Sequence, residues 1–490
     1  MLRHCSANMS SLSVLRLCPH PHSGSADIKR DRAVFTTYLP ASSAVTSEFP
    51  LPDSNSKQTT VLNWRMATRI GRAPLLALVF ADMLASGARF AGAHPGDRYH
   101  IKPGDLPRPF ATRSVLRIPH IIAAPPSAKL EVPPGFHVSV YADGFNNPRW
   151  MTVLPNGDVI CVESRVEIGP NIFPKRIWIL RDSNHDGHID SKILFTKDRD
   201  LPLGVAYRNG YLYVANTDAV VRWPFTPGQT KTAGEPQTVI SGIPGHGYNQ
   251  HWSRNILFSP SGDKLYLTVG SKENIAVEEP PRACVMVFPM GSDGLPTGKP
   301  KVFASGLRNP VGLAFHPITG ALWATCNERD YTGDNLVPDF VTSLKQGGFY
   351  GWPNYFIGRH RDPRVPARPD LLKSVIVPDV LLESHSAPLG LCFYTGSQFP
   401  QEYRGNAFAA MHGSTNRSTR TGYKVVRVRF DAAGKPLGGY EDFLTGWLIN
   451  PKKPEVWGRP AGLTLDSTGA LLIADDGGGK IWRVSYGPGK

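Results

Sequence analysis

The chain has 490 residues and carries 54 Lys and Arg against 40 Asp and Glu, which gives a formal net charge of +14. This charge is dispersed, without a block of Lys or Arg in the folded part, so the sequence does not predict nucleic-acid binding. The six cysteines form no CxxC pair or dense framework, which argues against a zinc site and against a disulfide scaffold.

Two segments precede the part of the chain that has a regular hydrophobic pattern. Residues 1–65 are rich in Ser, Pro and His and are predicted to be an unstructured N-terminal extension, or an over-extended gene start. In residues 66–93 two arginines precede the apolar run Pro74–Leu84, and a small-residue cleavage site follows at Ala91–Ala93. This pattern predicts a secretory signal peptide and a periplasmic or secreted protein. A membrane anchor is the alternative, but the run is short for a stable membrane span.

A change of composition separates a linker from the folded domain. Residues 94–129 are Pro-rich and are predicted to be a linker. Residues 130–490 then alternate short apolar strands with turns that contain Gly and Pro, and helical patterning is nearly absent. We therefore predict one all-β domain that begins near Leu130 and runs to the end of the chain.

One pattern recurs six times in this domain: a loop, a short strand, a Gly turn, a second strand and a polar loop. In Gly245–Ser271 the turn is Pro-Ser-Gly-Asp, between two strands of alternating apolar residues. Hairpins repeated about every 50–85 residues are typical of propeller blades, so we predict a six-bladed β-propeller with four strands per blade. The long interval Asp330–Ser384 is predicted to hold an insertion. The six segments are Asn146–Arg165, Asp200–Thr217, His251–Ser271, Arg308–Arg329, Ser386–Ser414 and Arg459–Asp476, and their turn glycines are Gly157, Gly210, Gly262, Gly320, Gly405 and Gly469.

Equivalent positions of the blades in a propeller form rings around one axis. The residues that begin each first strand, and those that follow each second strand, should therefore face one shared pocket. They form a polar and cationic set: Arg165, His251, Arg308, Asn309, Asn327, Glu328, Arg329, Ser386, His412, Arg459, Asp475 and Asp476.

Two kinds of side chain in this set indicate chemistry. His251 is a candidate general base, because a neutral imidazole accepts a proton near neutral pH; the alternative is a histidine that only bonds a neighbouring blade. Guanidinium groups bind carboxylates through paired hydrogen bonds. Several arginines at blade ends therefore suit a polycarboxylate ligand, and the candidates are Arg165, Arg308, Arg417 and Arg459.

Two loops carry oxygen ligands suited to a hard cation. Asn327–Asp334 offers carboxylate and carbonyl oxygens and is either a calcium site or a solvated loop. Asp182–Asp190 matches the first half of a calcium loop, but the twelfth position is Ile193 rather than Glu. A turn between two strands is the preferred interpretation of this second loop.

Several motifs together resemble the glucose/sorbosone dehydrogenase family. These motifs are LRNPVGLAFHP, NERDYTGDNLVPD, GGFYGWPNY, MHGSTNRS and GRPAGLTLDSTGALLIADD. The family contains quinoprotein sugar dehydrogenases on a six-bladed propeller, and the chain is most similar to its L-sorbosone and pyranose dehydrogenase type. The resemblance covers roughly residues 130–484.

The resemblance implies two cofactors, pyrroloquinoline quinone (PQQ) and Ca²⁺. It implies oxidation of a sugar hydroxyl or a hydrated aldehyde, with hydride transfer to the quinone and His251 as the general base. An external acceptor, a quinone or a cytochrome, would then take the electrons. The implied cofactor-binding residues are Arg165, Arg308, Asn309, His385, Arg417 and Arg459, and the implied metal-binding residues are Glu328, Arg329 and Asp330.

The sequence departs from the family pattern at three places, one of which is a fifth-blade lysine that has no clear match here and that Arg417 could replace. Gln250 precedes the candidate base where the glucose dehydrogenases have aspartate, and Arg329-Asp330 replaces the Gly-Pro of their calcium loop. Two other functions stay open. One is a calcium-dependent lactonase that would use Glu163, Asn216 and Asp475, and the other is a non-catalytic propeller that binds a carbohydrate or a partner.

Overall fold

The structure is a computed structural model that describes residues 93–166, 173–197, 199–245 and 251–487. The predictions for residues 1–65 and for the signal peptide up to residue 92 lie outside these residues. Within the described part of the chain, no helix is long and apolar enough to cross a membrane.

The regular structure of the described residues consists of short strands and a few 3-10 turns. The strands are β1 (Arg98–Tyr99), β2 (His120–Ile121), β3 (Phe136–Ala142), β4 (Pro148–Val153), β5 (Val159–Glu163), β6 (Arg176–Arg181), β7 (Ser191–Lys197), β8 (Val205–Arg208), β9 (Tyr211–Ala215), β10 (Val220–Pro224), β11 (Gln237–Ile240), β12 (Ile256–Phe258), β13 (Lys264–Val269), β14 (Cys284–Pro289), β15 (Lys301–Ser305), β16 (Asn309–Phe315), β17 (Leu322–Asn327), β18 (Pro338–Ser343), β19 (Gly348–Phe349), β20 (Tyr355–Phe356), β21 (His360–Arg361), β22 (Val380–Ser384), β23 (Pro388–Phe393), β24 (Ala407–Met411), β25 (Lys424–Val428), β26 (Tyr440–Leu444), β27 (Glu455–Val456), β28 (Pro460–Leu465), β29 (Leu471–Asp475) and β30 (Lys480–Tyr486). The 3-10 turns are Pro103–Asp105, Leu372–Ser374 and Gln401–Tyr403.

These strands form six antiparallel blades around one axis, which confirms the predicted all-β, six-bladed propeller. Blade 1 is β4–β7, blade 2 is β8–β11, and blade 3 is β12–β15. Blade 4 is β16–β18 with β22, blade 5 is β23–β26, and blade 6 is β28–β30 with β3. The predicted turn glycines all have positive φ, and each lies between the first and second strands of its blade.

Blade 6 closes the ring with strands from both ends of the domain. Its outer strand β3 pairs antiparallel with β30, so that Phe136 lies opposite Tyr486 and Val138 opposite Val484. The second strands β5, β24 and β29 are buried at every residue, because neighbouring blades cover both of their faces. Their near-continuous apolar sequences follow from this burial.

Residues 94–129, the predicted linker, lie against the propeller. β1 pairs with β26 at the outer edge of blade 5, and β2 pairs with β27 in parallel. The domain start at residue 130 stays a prediction.

The predicted insertion lies between the third and fourth strands of blade 4, so it is shorter than Asp330–Ser384. Residues 344–379 contain β19, which joins the edge of blade 3, and the hairpin β20–β21. Tyr350 and Trp352 are buried there at 0% and 2% exposure, so both rings pack the insertion.

The loop Asp182–Asp190 connects β6 to β7, as the turn interpretation predicts. Its carboxylates accept hydrogen bonds from its own backbone; for example, Asp182 accepts one from Gly187 N at 2.9 Å.

Candidate active site

A cavity of about 370 Å³ opens at the end of the axis where first strands begin and second strands end. This is the position that the repeat pattern predicts for a shared pocket. Its volume lies at the small end of the range for ligand pockets, which is about 300–1,000 Å³. The predicted site residues that line it are Arg165, His251, Arg308, Asn309, Glu328, Asp330, His385 and Arg459.

His251 lies just before β12 and is buried at 6% exposure. Its Nδ1 is 3.1 Å from the carbonyl oxygen of Ser271, which lies two residues after the end of β13. Because a carbonyl can only accept, this contact fixes the tautomer with the proton on Nδ1 and the basic lone pair on Nε2. Burial, together with the nearby charge of Arg308, lowers the pKa of His251 well below its ordinary value. The imidazole is therefore neutral and can accept a proton.

Arg308 precedes β16 and holds the loop that follows β17. Its Nη1 donates to the carbonyl of Glu328 at 2.8 Å, and its Nη2 donates to Asp330 Oδ2 at 2.9 Å. Burial would raise the pKa of Asp330, but Arg308 and His385 outweigh burial and lower it. Asp330 is therefore an ionised partner of two cations.

His385 differs from His251 in its charge. Its Nδ1 is 3.4 Å from Asp330 Oδ1, and its Nε2 is 2.9 Å from the carbonyl oxygen of Gly333. Burial would lower the pKa of His385, but the bond and charge of Asp330 raise it above the ordinary value. Both ring nitrogens face acceptors, so His385 is a fixed cation rather than a base.

The opposite wall of the cavity carries two more guanidinium groups. Arg459 donates to the carbonyl oxygens of His412 at 3.2 Å and Gly413 at 3.3 Å. Arg149 forms an ion pair with Asp476, which also lies 2.9 Å from His412 Nε2. Burial and the charge of Arg459 lower the pKa of His412 to about 3, so this imidazole is neutral.

Arg165 follows β5, and its guanidinium carbon lies 4.6 Å from the centre of the Phe173 ring. Arg459 donates to neutral carbonyl oxygens, and the guanidinium of Arg165 contacts an aromatic ring. The positive charge of both residues therefore stays available to an anion. The cavity therefore has a cationic wall beside a neutral base.

Polar atoms without partners support a polar ligand in this cavity. Within the described residues, no hydrogen bond is made by buried Arg149 Nε, Arg308 Nε, Glu328 Oε1, Asn309 Oδ1 or Asn416 Oδ1. All five residues line the cavity. Buried polar atoms are normally hydrogen-bonded. The two orphaned guanidinium nitrogens and the four arginines therefore fit the carboxylates of a flat ligand such as PQQ, whereas the three orphaned oxygens fit hydrogen-bond donors such as hydroxyl groups.

The predicted calcium site does not fit the arrangement of its donors. The carbonyl oxygen of Asp330 accepts from Arg364 Nη1 at 2.9 Å and from Asn274 Nδ2 at 3.1 Å. The carbonyl of Glu328 accepts from Arg308. A Ca²⁺ ion needs several uncommitted oxygens. Guanidinium and amide groups already occupy these two carbonyls, and among the described residues Glu328 Oε1 stays unpaired. Among the described residues, no three His, Cys, Asp or Glu side chains gather as a metal site.

Two predicted residues direct their side chains away from the cavity. The Arg329 guanidinium is fully buried and donates to Glu328 Oε2 at 2.9 Å and Asp362 Oδ2 at 3.2 Å. Arg417 Nη2 donates to Asn335 Oδ1 at 2.9 Å. Neither residue lines the cavity.

The residues proposed for a lactonase serve other purposes. Glu163 accepts from Arg176 Nε at 2.5 Å and from Trp178 Nε1 at 2.9 Å. Asp475 accepts from the ring nitrogen of Trp447 at 2.8 Å. These two carboxylates, like Asn216, are not part of the cavity lining in the described structure.

Sequence reasoning missed Arg149, Asp339 and Asn416. Asn147-Pro148 repeats the Asn309-Pro310 motif at the start of a first strand, and this repetition is the signal that could have identified Arg149. Asp339 lies inside β18 and accepts from the backbone nitrogens of Glu328 at 2.7 Å and Ala387 at 2.8 Å. No pattern in the sequence indicates this contact.

Comparisons with known proteins agree with the fold and the cavity. The model of the TrAA12-like family matches residues 130–338 and 372–487. The chain is 27% identical over 431 residues to a pyrroloquinoline quinone-dependent pyranose dehydrogenase of Coprinopsis cinerea, covering 74% of this chain and 55% of that protein. The chain thus spans about half the length of that relative.

Solved structures show the same propeller. The holo form of the PQQ domain of that Coprinopsis cinerea dehydrogenase has a TM-score of 0.59 and 22% identity, covering 76% of this chain and 100% of that one. A Trichoderma reesei protein of Carbohydrate-Active Enzymes Family AA12 has a TM-score of 0.61 and 19% identity, covering 75% and 99%. The resemblance to quinoprotein sugar dehydrogenases is therefore confirmed, and the chain belongs to the TrAA12-like family.

Proposed function

We propose that the protein is a PQQ-dependent dehydrogenase that oxidises a sugar hydroxyl or a hydrated aldehyde, of the aldose or sorbosone type. One observation carries this proposal: a buried, neutral His251 shares a cavity with four guanidinium groups. The cations suit the carboxylates of the cofactor. The neutral imidazole suits the removal of a hydroxyl proton.

Each part of the cavity has a separate task in this proposal. Arg165 and Arg459 would hold cofactor carboxylates, since within the described residues Arg459 bonds to carbonyl oxygens and Arg165 packs on an aromatic ring, rather than forming an ion pair. Arg308 and Asn309 lie beside His251 and would position the reacting end of the ligands. PQQ, when bound, supplies the acceptor for the hydride of the oxidised carbon.

His251 would take the hydroxyl proton at Nε2. The Ser271 carbonyl keeps the Nδ1 proton in place. Ser271 Oγ in turn donates to the Glu273 carbonyl at 2.6 Å, which holds this serine in position. Two consecutive hydrogen bonds, from His251 to Ser271 and from Ser271 to Glu273, therefore orient the base from outside the cavity.

Two further points belong to the proposal. A separate quinone or cytochrome would reoxidise the cofactor. The predicted signal peptide leads us to propose a periplasmic or secreted protein.

Reconstitution of the purified full chain with PQQ tests the function. PQQ binding is followed by its absorbance, and dye reduction is followed with a panel of aldoses and sorbosone. His251→Ala should keep PQQ binding and lose about 10²- to 10⁴-fold in turnover, the usual contribution of a general base. His137→Ala is the matched control, because this exposed histidine lies on the outer strand of blade 6.

The same assay is run with added calcium and with a chelator. The guanidinium bonds to the carbonyls of Glu328 and Asp330 lead us to expect that the chelator leaves PQQ affinity unchanged. A folded protein that binds no PQQ under either condition would contradict the proposed function.

A further inference from the structure

A segment outside the family match borders the cavity. The family model begins at residue 130, whereas residues 113–123, here called the strap, cross the cavity mouth between blades 5 and 6. The strap contributes Ile118, Pro119 and Ile121 to the cavity lining. The strap therefore lies outside the matched domain.

The strap is fixed by bonds to its backbone. Arg420, which is 3% exposed, donates from Nη1 to the carbonyl of Arg117 at 2.8 Å and from Nη2 to that of Ile118 at 3.1 Å. The backbone nitrogen of Arg117 donates to the carbonyl of Thr415 at 2.6 Å. β2 then pairs with β27. A segment held at so many points presents its side chains in a constant position.

The side chains that it presents are apolar and exposed. Ile118 is 70% exposed and Ile121 is 37% exposed, at the rim of a cavity whose interior is charged. An exposed apolar patch that continues a polar cavity is typical of a ligand-binding groove. A pyranose ring matches this combination, because its C–H faces are apolar and its hydroxyl groups are polar.

An unpartnered acceptor lies beside the strap. Asn416 is 7% exposed and lines the cavity, and its Oδ1 has no hydrogen-bond partner among the described residues. It follows Thr415, to which the strap is bonded. A sugar hydroxyl near the strap could donate to this oxygen.

We propose that the strap forms the wall of an outer sugar subsite. This subsite binds the second pyranose ring of a disaccharide or longer aldose, with Ile118 against the C–H face of that ring. The reducing-end ring occupies the cavity beside His251, so this inference rests on the proposed function and narrows its substrate class to oligosaccharides.

Saccharide affinity measured by calorimetry tests the subsite without any turnover. The dissociation constants of cellobiose, maltose and glucose are measured on the full chain. At least one disaccharide should bind more tightly than glucose. In Ile118→Ala the ratio of disaccharide affinity to glucose affinity should fall by about three- to tenfold, as expected for the loss of one apolar contact. Leu116→Ala is the matched control, because Leu116 is 60% exposed on the same strap but does not line the cavity.

An affinity ratio that Ile118→Ala leaves unchanged, or that Leu116→Ala lowers equally, would overturn the subsite. Failure of both disaccharides to bind the wild-type protein would overturn it too. The calorimetry also separates the two proposals. Tight disaccharide binding by a protein that does not bind PQQ would reject the proposed function and keep the subsite.

Discussion

His251 and His385 lie in one cavity, yet their surroundings make the first neutral and the second a cation. Burial and Arg308 lower the pKa of His251. Asp330 and the Gly333 carbonyl overcome the effect of burial at His385 and raise its pKa. The pairing of a neutral base with a fixed cation separates proton transfer from anion binding.

The depressed pKa of His251 predicts an unusual acidic limb in the pH profile. The active base is the deprotonated imidazole, so lowering its pKa keeps it active at lower pH. We expect kcat/KM to stay on its plateau as pH falls through 6.5, the ordinary value for histidine, and to decline only well below it. Arg308→Gln, assayed with saturating PQQ, should move this decline to higher pH, because it removes a like charge. A limb centred at or above the ordinary value in the wild-type protein would contradict a neutral His251.

The insertion in blade 4 shows how an element decides the direction of a site residue. Arg329 is fully buried and ends on Asp362, which lies in the insertion and also accepts from Arg364 Nη2 at 2.8 Å. The guanidinium of Arg329 also donates to the carbonyls of Pro353 and Tyr355 at 2.8 and 2.7 Å. These bonds direct the Arg329 side chain away from the cavity. They also attach the loop before Asp330 to the insertion.

Asp362→Ala should destabilise the protein strongly. The change removes one of the two carboxylates that pair with the buried Arg329 guanidinium and leaves only Glu328; breaking a buried pair costs up to about 3–5 kcal/mol. Urea unfolding measures the loss of free energy. Asp370→Ala is the control, because its pair with Arg368 is exposed and solvent screens it, so no measurable change is expected. Equal effects of the two substitutions would show that the buried network adds no stability.

The sequence predicts which strand ends surround the cavity better than it predicts the direction of the side chains at those strand ends. His251, Arg308 and Arg459 could be predicted because each lies at the start of a first strand, and the repeat sets that position. Arg329 lies at another position that the repeat sets, just after a second strand, but its partner Asp362 belongs to a non-repeating insertion. Arg417 likewise bonds to Asn335 of another blade. Local patterning contains no information on such distant partners.

For the whole molecule, the first strands of neighbouring blades must approach closely to close the ring. A Pro-x-Gly motif recurs at the start of four of them, and its glycines are Gly204, Gly312, Gly390 and Gly462. A Cβ on Gly204 would lie 2.8 Å from the carbonyl oxygen of Arg254 in the next blade. The recurrence can be read from the sequence, but its reason, contact between backbones, requires the closed ring.

Gly462→Ala tests this closure and its connection to the cavity. An added Cβ would lie 2.5 Å from the carbonyl oxygen of Arg149, a cavity residue of blade 1, and 3.0 Å from the Cα of Trp150. The φ of Gly462 is not left-handed, so the cost is steric crowding rather than backbone strain. Overpacking of this kind costs about 1–3 kcal/mol. Urea unfolding should show that loss, and PQQ affinity should fall with it because the backbone of Arg149 must shift. Gly104→Ala, where a Cβ would meet nothing within 4 Å, is the control. If both variants unfold at the same urea concentration, the ring does not depend on this contact.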